Sequence, residues 1–182
     1  MFFLILIFSF GNFRISDGLS PSLLQLNFST PLYAEALPTI RIANDIPSLD
    51  WHKTLDLISA RVILNLMVGL TEFNKEGKLV PALAQKWSIS PDGKTYVFTL
   101  KEGLKWSDRT PLTAQHFVDG ILRLLNPKTA AQGADFFWIL VSAKEFNLGR
   151  EHDFNKVGIR ALDKKTIEFR LVRPTEIGRA HV

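Results

Sequence analysis

Residues 79–127, which read LVPALAQKWSISPDGKTYVFTLKEGLKWSDRTPLTAQHFVDGILRLLNP, contain the signals that decide the fold of this chain. In Pro91–Lys94, a proline suits an early turn position and a glycine accepts a positive φ. The flanking segments WSIS and TYVFTL are therefore predicted to form a β-hairpin. In the second segment Tyr96, Phe98 and Leu100 alternate with smaller residues, so one strand face is expected to carry them into the core.

The same stretch ends in a predicted helix. Thr113 is a preferred N-cap residue at its start. Phe117, Ile121 and Leu124 then recur at the spacing of one buried helical stripe. Pro127 cannot continue a helix, so the helix is expected to run through residue 125.

Outside this stretch the pattern alternates between short strands and helices, which predicts a mixed α/β or α+β class. The further predicted elements are a strand over Thr39–Asn44, a helix over Asp56–Met67 ended by Gly69, a strand in LTEFN, a turn on Gly77, a packed segment over Val80–Trp87, short helical pieces within residues 128–150, and strands in VGIRAL and TIEFRL joined by Asp163–Lys165.

The composition is that of a soluble globular protein, since 46% of the 182 residues are hydrophobic and 22% are charged. The net charge of +4 permits binding to nucleic acid or to an anionic surface. However, the basic residues are scattered among acids, as in KEGLKWSDR, which favours a solvated mixed surface. A basic binding module remains the alternative class, and it predicts a steep salt dependence of binding.

Signals for catalysis and for metal binding are weak. There is no cysteine, which excludes disulfides and thiolate chemistry, and no local nucleophile or phosphate-binding motif is present. The histidines are too far apart in sequence for a local metal site, so surface histidines, no metal and no cofactor are predicted. A hydrolase site assembled only in space stays open as a further alternative. The histidines are His52, His116, His152 and His181.

The amino-terminal segment predicts export. Residues 1–10, MFFLILIFSF, are apolar and too few to span a bilayer as a helix, and a small-residue site follows at Ala34–Ala36. Residues 1–36 are therefore predicted to be a leader, with a buried N-terminal strand as the alternative. Without a cysteine, a lipid-anchored form is not expected, and an extracytoplasmic location is predicted.

The central stretch resembles the N-terminal lobe of the extracytoplasmic peptide-binding proteins of ABC importers, solute-binding protein family 5. Members of that family read close to PALAxxWxxSxDGxxYxFxLRxGxxWSDGTPxTAxDxxxSxxRxxxP. The matching positions expected to have structural roles are Trp87, Asp92, Gly93, Trp106, Asp108, Pro111 and Thr113. Both tryptophans are interpreted as core residues.

The resemblance implies an incomplete periplasmic-binding-protein type II-like lobe of α/β (mixed α+β) class, with a mixed sheet and a β-hairpin. Residues 37–175 would supply part of lobe I. Residues 176–182, EIGRAHV, depart from the family pattern and are predicted to be a non-native tail.

The function implied by the resemblance is that of a receptor that closes around di- or oligopeptides and presents them to the permease subunits of an ABC importer. Such a protein is not an enzyme, has no catalytic residues, does not bind nucleic acid and is expected to be a monomer. Relatives of the same fold take nickel complexes, haem or sugars, so another solute remains an alternative.

Two segments are the candidate ligand-binding residues. The loop Thr54–Ser59 matches the family's first cleft-lining loop, and the segment after the capped helix matches a wall of the cleft. The residues concerned are Thr54, Leu55, Asp56, Leu57 and Ser59 in the loop, and Phe136, Phe137 and Trp138 in the wall. Core packing is the alternative for the three aromatic residues.

Three departures from the family pattern concern turns and caps. Val68 stands where glutamate is common, and Gln115 and His116 replace an acidic pair. Arg109 replaces the glycine of WSDGTP. If that turn needs a positive φ, the arginine costs about 1 kcal/mol.

Overall fold

A computed structural model describes residues 45–175 and the backbone of the strand formed by residues 6–8. The helices are α1 (Leu57–Leu66), α2 (Ala114–Leu125) and α3 (Ala143–Asn147). The strands are β1 (Leu6–Phe8), β2 (Met67–Gly69), β3 (Thr71–Phe73), β4 (Leu79–Pro81), β5 (Ala84–Ile89), β6 (Thr95–Leu100), β7 (Ile159–Ala161) and β8 (Thr166–Arg170). Single 3₁₀ turns lie at Pro127–Thr129, Ala134–Phe137 and Phe154–Lys156.

The predicted hairpin is confirmed and lies in a four-stranded antiparallel sheet of order β5-β6-β8-β7. Trp87 of β5 pairs with Phe98 of β6. In the turn, Gly93 adopts a φ of 67°. The Asp92 carboxylate accepts hydrogen bonds from the Ser90 hydroxyl at 2.5 Å and the Lys94 N–H at 3.1 Å. The turn chemistry read from the sequence thus fixes the register of the two strands.

One face of the sheet packs against α2 to form the core. Every large side chain that was predicted to point inward from β6 and α2 is at most 2% exposed. Burying an aromatic or aliphatic side chain of this size contributes about 1.5–3 kcal/mol, so this layer supplies much of the stability. These residues are Tyr96, Phe98 and Leu100 from β6 and Phe117, Ile121 and Leu124 from α2, and Ile167 and Phe169 of β8 complete the layer.

The two motif tryptophans, which were interpreted as core residues, lie at the margin of this core. Trp87 stacks on Phe98 with ring centroids 6.2 Å apart, and Trp106 meets the edge of His116 at 5.4 Å. Both tryptophans are half-buried and pack against the core. Their rings therefore close the ends of the hydrophobic layer.

The second turn-rich connection contains a positive φ at the position where the family motif has glycine. Arg109 has a φ of 71°, and its N–H donates to the Trp106 carbonyl at 2.9 Å. Asp108 accepts from the N–H of Thr110 at 2.8 Å and from its hydroxyl at 2.6 Å, and Pro111 bridges to Lys105. An arginine here therefore occupies a conformation that favours glycine.

Helix α2 begins after its predicted N-cap residue, Thr113. His116, which stands where the family motif has an acidic residue, hydrogen-bonds to the backbone of this N-cap. The Thr113 N–H donates to Nδ1 of His116 at 3.0 Å. In a capping box this bond is accepted by a glutamate or glutamine three residues after the N-cap. His116 takes that role here, and its half-buried ring also contacts Trp106.

Two element boundaries differ from the sequence prediction. Helix α1 passes into β2 at Met67 rather than ending at Gly69, because this short strand pairs with β1. The predicted packed segment 80–87 is divided between β4 and β5. Pro81 ends the β3–β4 pair, and the N–H groups of Ala82 and Ala84 then both donate to the carbonyl of Leu70.

Several predictions concern residues outside the described ranges. The strand Thr39–Asn44, most of the leader 1–36 and the tail 176–182 lie there and stay predictions. The mixed α/β class is confirmed. All strand pairs within the described ranges are antiparallel, so the parallel pairing of a mixed sheet is not among them. No helix among the described residues is long and apolar enough to cross a membrane.

Candidate functional site

The segment that precedes α1 contacts α2 through an ion pair between Asp50 and Arg123. Both oxygens of the Asp50 carboxylate accept hydrogen bonds from the Arg123 guanidinium, at 2.8 and 2.5 Å. This hydrogen bonding is the main cause that holds the pKa of Asp50 well below its usual range. The Arg123 side chain is 47% exposed, so the pair is expected to contribute only about 1 kcal/mol or less. Its main effect is to fix the path of the chain.

His52 lies beneath this ion pair and is only 4% exposed. The prediction that the histidines are surface residues is therefore wrong for His52. Its Nε2 lies 3.0 Å from the Gly120 carbonyl oxygen, and its ring packs on Trp51 with centroids 3.8 Å apart. Burial, which is the largest cause, lowers the pKa of His52. His152, by contrast, is exposed.

Asp56 fixes the start of α1. Its carboxylate accepts hydrogen bonds from the N–H groups of Ile58 at 3.0 Å and Ser59 at 2.8 Å, as an N-cap does. The Thr54 hydroxyl also donates to it. Hydrogen bonding, first from Thr54 and then from Ser59, lowers the pKa of Asp56 to about 2. The predicted loop is thus shorter than expected, because residues from 57 onward already belong to the helix.

The loop presents apolar side chains and unused backbone donors. Leu55 is 55% exposed and Leu57 is 78% exposed, whereas Ser59 is completely buried and does not face this surface. Within residues 45–175 the N–H groups of Leu55 and Leu57 have no hydrogen-bond partner. A molecule lying along the loop could accept both hydrogen bonds and cover both leucines.

The two predicted segments meet at Gly133. A Cβ atom placed on this glycine would lie 3.3 Å from Cδ2 of Phe136 and 3.6 Å from Cδ2 of Leu55. Phe136 is 43% exposed. Leu55, Gly133 and Phe136 therefore form one apolar patch, which we name the 55/136 surface.

The other two aromatic residues of the predicted wall point elsewhere. Phe137 is 7% exposed and belongs to the core. The half-buried Trp138 donates from Nε1 to Oδ1 of Asn147 at 3.1 Å, and the Lys144 ammonium lies 5.2 Å from its ring centroid. The predicted aromatic cluster is thus divided, and only Phe136 joins the loop.

Sequence reasoning missed Asp50, His52, Arg123 and Gly133. Arg123 lies 73 residues after Asp50 and 71 residues after His52, and the chain carries no periodic signal between residues 45 and 56 that could have linked them. A glycine with no neighbouring turn signal gives equally little indication of its contacts. The described residues contain no group of three or more side chains able to hold a metal ion.

Comparison with known proteins places this geometry in a family. The family described as "Bacterial extracellular solute-binding proteins, family 5 Middle" matches residues 78–180. The "Probable deoxycholate-binding periplasmic protein YgiS" of Escherichia coli (strain K12) is 35% identical over 167 residues, which cover 84% of this chain and 31% of that protein. The "Dipeptide-binding protein DppE" of Bacillus subtilis (strain 168) is 34% identical over 131 residues, which cover 72% and 24%.

A solved structure shows the same arrangement. The structure "Listeria monocytogenes OppA bound to peptide" superposes with a TM-score of 0.68 at 32% identity, over 71% of this chain and 26% of that one. The chain thus spans about a third or less of the length of these relatives. Its sheet, its capped helix and its Trp-bracketed turns are those of a partial lobe of such proteins, and the chain belongs to the bacterial extracellular solute-binding proteins of family 5.

Proposed function

We propose that this chain supplies part of the ligand-contacting lobe of an extracytoplasmic receptor for di- or oligopeptides. The observation that carries the proposal is the segment that joins the loop to α1, where Leu55 in the loop and Leu57 at the start of the helix offer two unused N–H groups beside exposed apolar side chains. An extended peptide uses such groups as an added strand does, through its main chain. The family assignment and the peptide-binding relatives support the same ligand class.

The mode of contact follows from the residue types. Main-chain hydrogen bonds do not depend on the peptide's sequence, and the 55/136 surface offers area to any apolar side chain. Binding of this kind selects extended peptides with little side-chain preference. The receptor would act without catalysis, outside the cytoplasmic membrane and as a monomer, and would deliver its ligand to the permease subunits of an ABC importer.

A second candidate ligand is an amphipathic steroid acid. The name of the YgiS relative points to deoxycholate, and the exposed side chains of Leu55 and Phe136 would fit an apolar ring system. A steroid lacks a peptide backbone, however, and would leave the two N–H groups of the loop without acceptors. The peptide is therefore the better match.

Backbone amide NMR of the chain tests both candidates. Addition of tri-alanine to millimolar concentration is expected to shift the signals of residues 54–57 and 133–136 and to leave the β7–β8 turn unchanged. Leu55→Ser should weaken this binding about fivefold, equivalent to ~1 kcal/mol of lost apolar contact. Leu162→Ser, which changes a leucine of similar exposure in the β7–β8 turn, is the matched control.

The outcomes separate the candidates. Shifts at residues 54–57 with tri-alanine support the peptide. Shifts at Leu55 and Phe136 with deoxycholate alone would replace the peptide by the steroid. An unchanged spectrum with both, or shifts confined to other surfaces, would refute this placement of the site.

A further inference from the structure

The loop that carries Leu55 is held on α2 by three side chains, Asp50, His52 and Arg123, which we name the latch. Arg123 donates to both carboxylate oxygens of Asp50. It also contacts Nδ1 of His52, and the Asp50 carboxylate accepts a bond from the His52 backbone N–H at 3.2 Å. The latch thus ties two residues of the loop, Asp50 and His52, to one side chain of α2.

The partners of His52 identify its protonation state. Nε2 faces the carbonyl oxygen of Gly120 at 3.0 Å, and a carbonyl can only accept, so Nε2 carries a hydrogen. Nδ1 has two neighbours, the Arg123 guanidinium, which can only donate, and Oδ1 of Asp50 at 3.2 Å, which can only accept. Oδ1 of Asp50 already accepts the shorter bond from Arg123 at 2.8 Å, and burial opposes a charge on the ring, so we assign a neutral ring with its hydrogen on Nε2.

The groups that face the ring favour this state. Arg123 from α2 and burial oppose a positive charge on His52, whereas Asp50 from its own loop favours one. Asp50 is already engaged by the guanidinium through both oxygens, at 2.8 and 2.5 Å. The remaining neighbours, the Trp51 ring and the Gly120 carbonyl, carry no charge.

We propose that the latch closes only while His52 is neutral, and that protonation of His52 releases the loop bearing Leu55 and Leu57 from α2. A proton on Nδ1 would remove the acceptor that Arg123 uses and would place a positive charge on the buried imidazole in contact with the guanidinium. The effect on ligand affinity rests on the proposed function, whereas the release of the loop does not.

The direction of the pH effect follows from linkage. The unfolded chain binds a proton on histidine near pH 6.5, and the folded chain does so only at lower pH, since burial lowers the pKa of His52. At pH values between the folded-state pKa and the unfolded-state pKa of His52, the released or unfolded state binds more protons than the folded state. The latch therefore contributes its full stabilisation above about pH 6.5 and loses it as the pH falls below that value.

Imidazole ¹⁵N NMR of the whole chain tests the proposal. At pH 7.5, His52 should show a hydrogen-bearing Nε2 and an acceptor Nδ1. On acidification it should titrate below the pH of about 6.5 at which an unperturbed histidine titrates, and the Trp51 indole and Leu55 amide signals should move in step with it. Titration of His52 at or above about pH 6.5, or titration without movement of Trp51 and Leu55, would overturn the proposal.

Two variants give the matched comparison. His52→Gln keeps one donor for Gly120 and one acceptor for Arg123 but cannot titrate, so its Trp51 and Leu55 signals should stay constant from pH 7 to pH 5. His152→Gln should leave the pH response of the loop as it is in the parent. A loop that still moves with pH in His52→Gln would contradict the latch.

The ligand measurement is kept separate from the latch. In the parent chain, the affinity for tri-alanine should fall at least fivefold between pH 7 and pH 5. In His52→Gln it should stay constant. This pair of results would support the proposal that the latch controls the affinity for the ligand. Equal binding at both pH values in the parent would refute it. An absence of tri-alanine binding at pH 7 would count against the proposed function alone, because the release of the loop is read from Trp51 and Leu55.

Discussion

Arg109 holds a left-handed backbone conformation, φ 71°, at a position where the family motif has glycine. The side chain is exposed, and the turn around it is closed by Asp108 and Thr110. The strain therefore lies in the backbone itself. This residue shows how a sequence can depart from a motif while the turn keeps its geometry.

Replacing this arginine with glycine should stabilise the chain. Arg109→Gly removes the steric cost of a Cβ at positive φ and should raise the free energy of unfolding by about 0.5–1 kcal/mol, after the greater flexibility of glycine in the unfolded state is included. Urea denaturation followed by tryptophan fluorescence measures the change. Arg109→Ala is the control, since it removes the side chain and keeps the strain. An equal gain in both variants would show that the guanidinium, not the backbone, is unfavourable.

His52 marks the limit of residue-scale prediction. A lone histidine in a polar segment gives no sign of burial, and the surface interpretation followed only from the lack of enough nearby residues to form a metal site. The structure buries it because Arg123 and Gly120, both on α2, supply partners for its two nitrogens. Contacts of this kind depend on tertiary structure and cannot be read from local pattern.

At the scale of elements, the regular pieces could be predicted and the junctions could not. Helix α2 and the β5–β6 hairpin have strong periodic patterns and recognisable caps and turns, and both lie where expected. The α1–β2 junction and the division between β4 and β5 are set by strand pairing, which short apolar runs do not specify. For the same reason the loop was located but its contact with Gly133 was not.

Two glycines in different elements should respond oppositely to alanine. At Gly158, before β7, an added Cβ would lie 2.2 Å from the Arg170 carbonyl oxygen, and Gly158→Ala should destabilise the fold by at least ~2 kcal/mol. At Gly120, inside α2, no atom other than the adjoining helix backbone lies within 4 Å of the added Cβ, and Gly120→Ala should stabilise the chain by about 1 kcal/mol. Thermal unfolding monitored by circular dichroism measures both. Destabilisation by Gly120→Ala would indicate that the backbone near His52 tolerates no change.

At the scale of the whole molecule, the fold class and the family could be predicted because the Trp-bracketed turns and the capped helix form one specific block. The ligand could not, since family 5 relatives carry names with different ligands. The candidate surface occupies a small part of the chain and uses ordinary residue types. The sequence motifs that determine the fold of the lobe are therefore easier to recognise in a sequence than the residues of the candidate ligand surface.

The net charge of +4 provides a test at this scale. If the chain were a basic binding module, a twelve-nucleotide single-stranded DNA would bind with an affinity that falls steeply as salt rises. We expect instead no change in fluorescence anisotropy of such a labelled oligonucleotide at 150 mM salt, because the basic residues are dispersed. Salt-dependent binding in the micromolar range would reinstate the alternative class.

The order β5-β6-β8-β7 has a consequence for biosynthesis. Strand β6 finds one neighbour almost at once across a tight turn, whereas its other neighbour pairs residue 95 with residue 170. Until the ribosome has released that later segment, the second side of β6 presents open hydrogen-bonding groups in the nascent polypeptide. Between the pairing of β6 with β5 and its later pairing with β8, a chaperone would protect the chain from association with other newly made polypeptides.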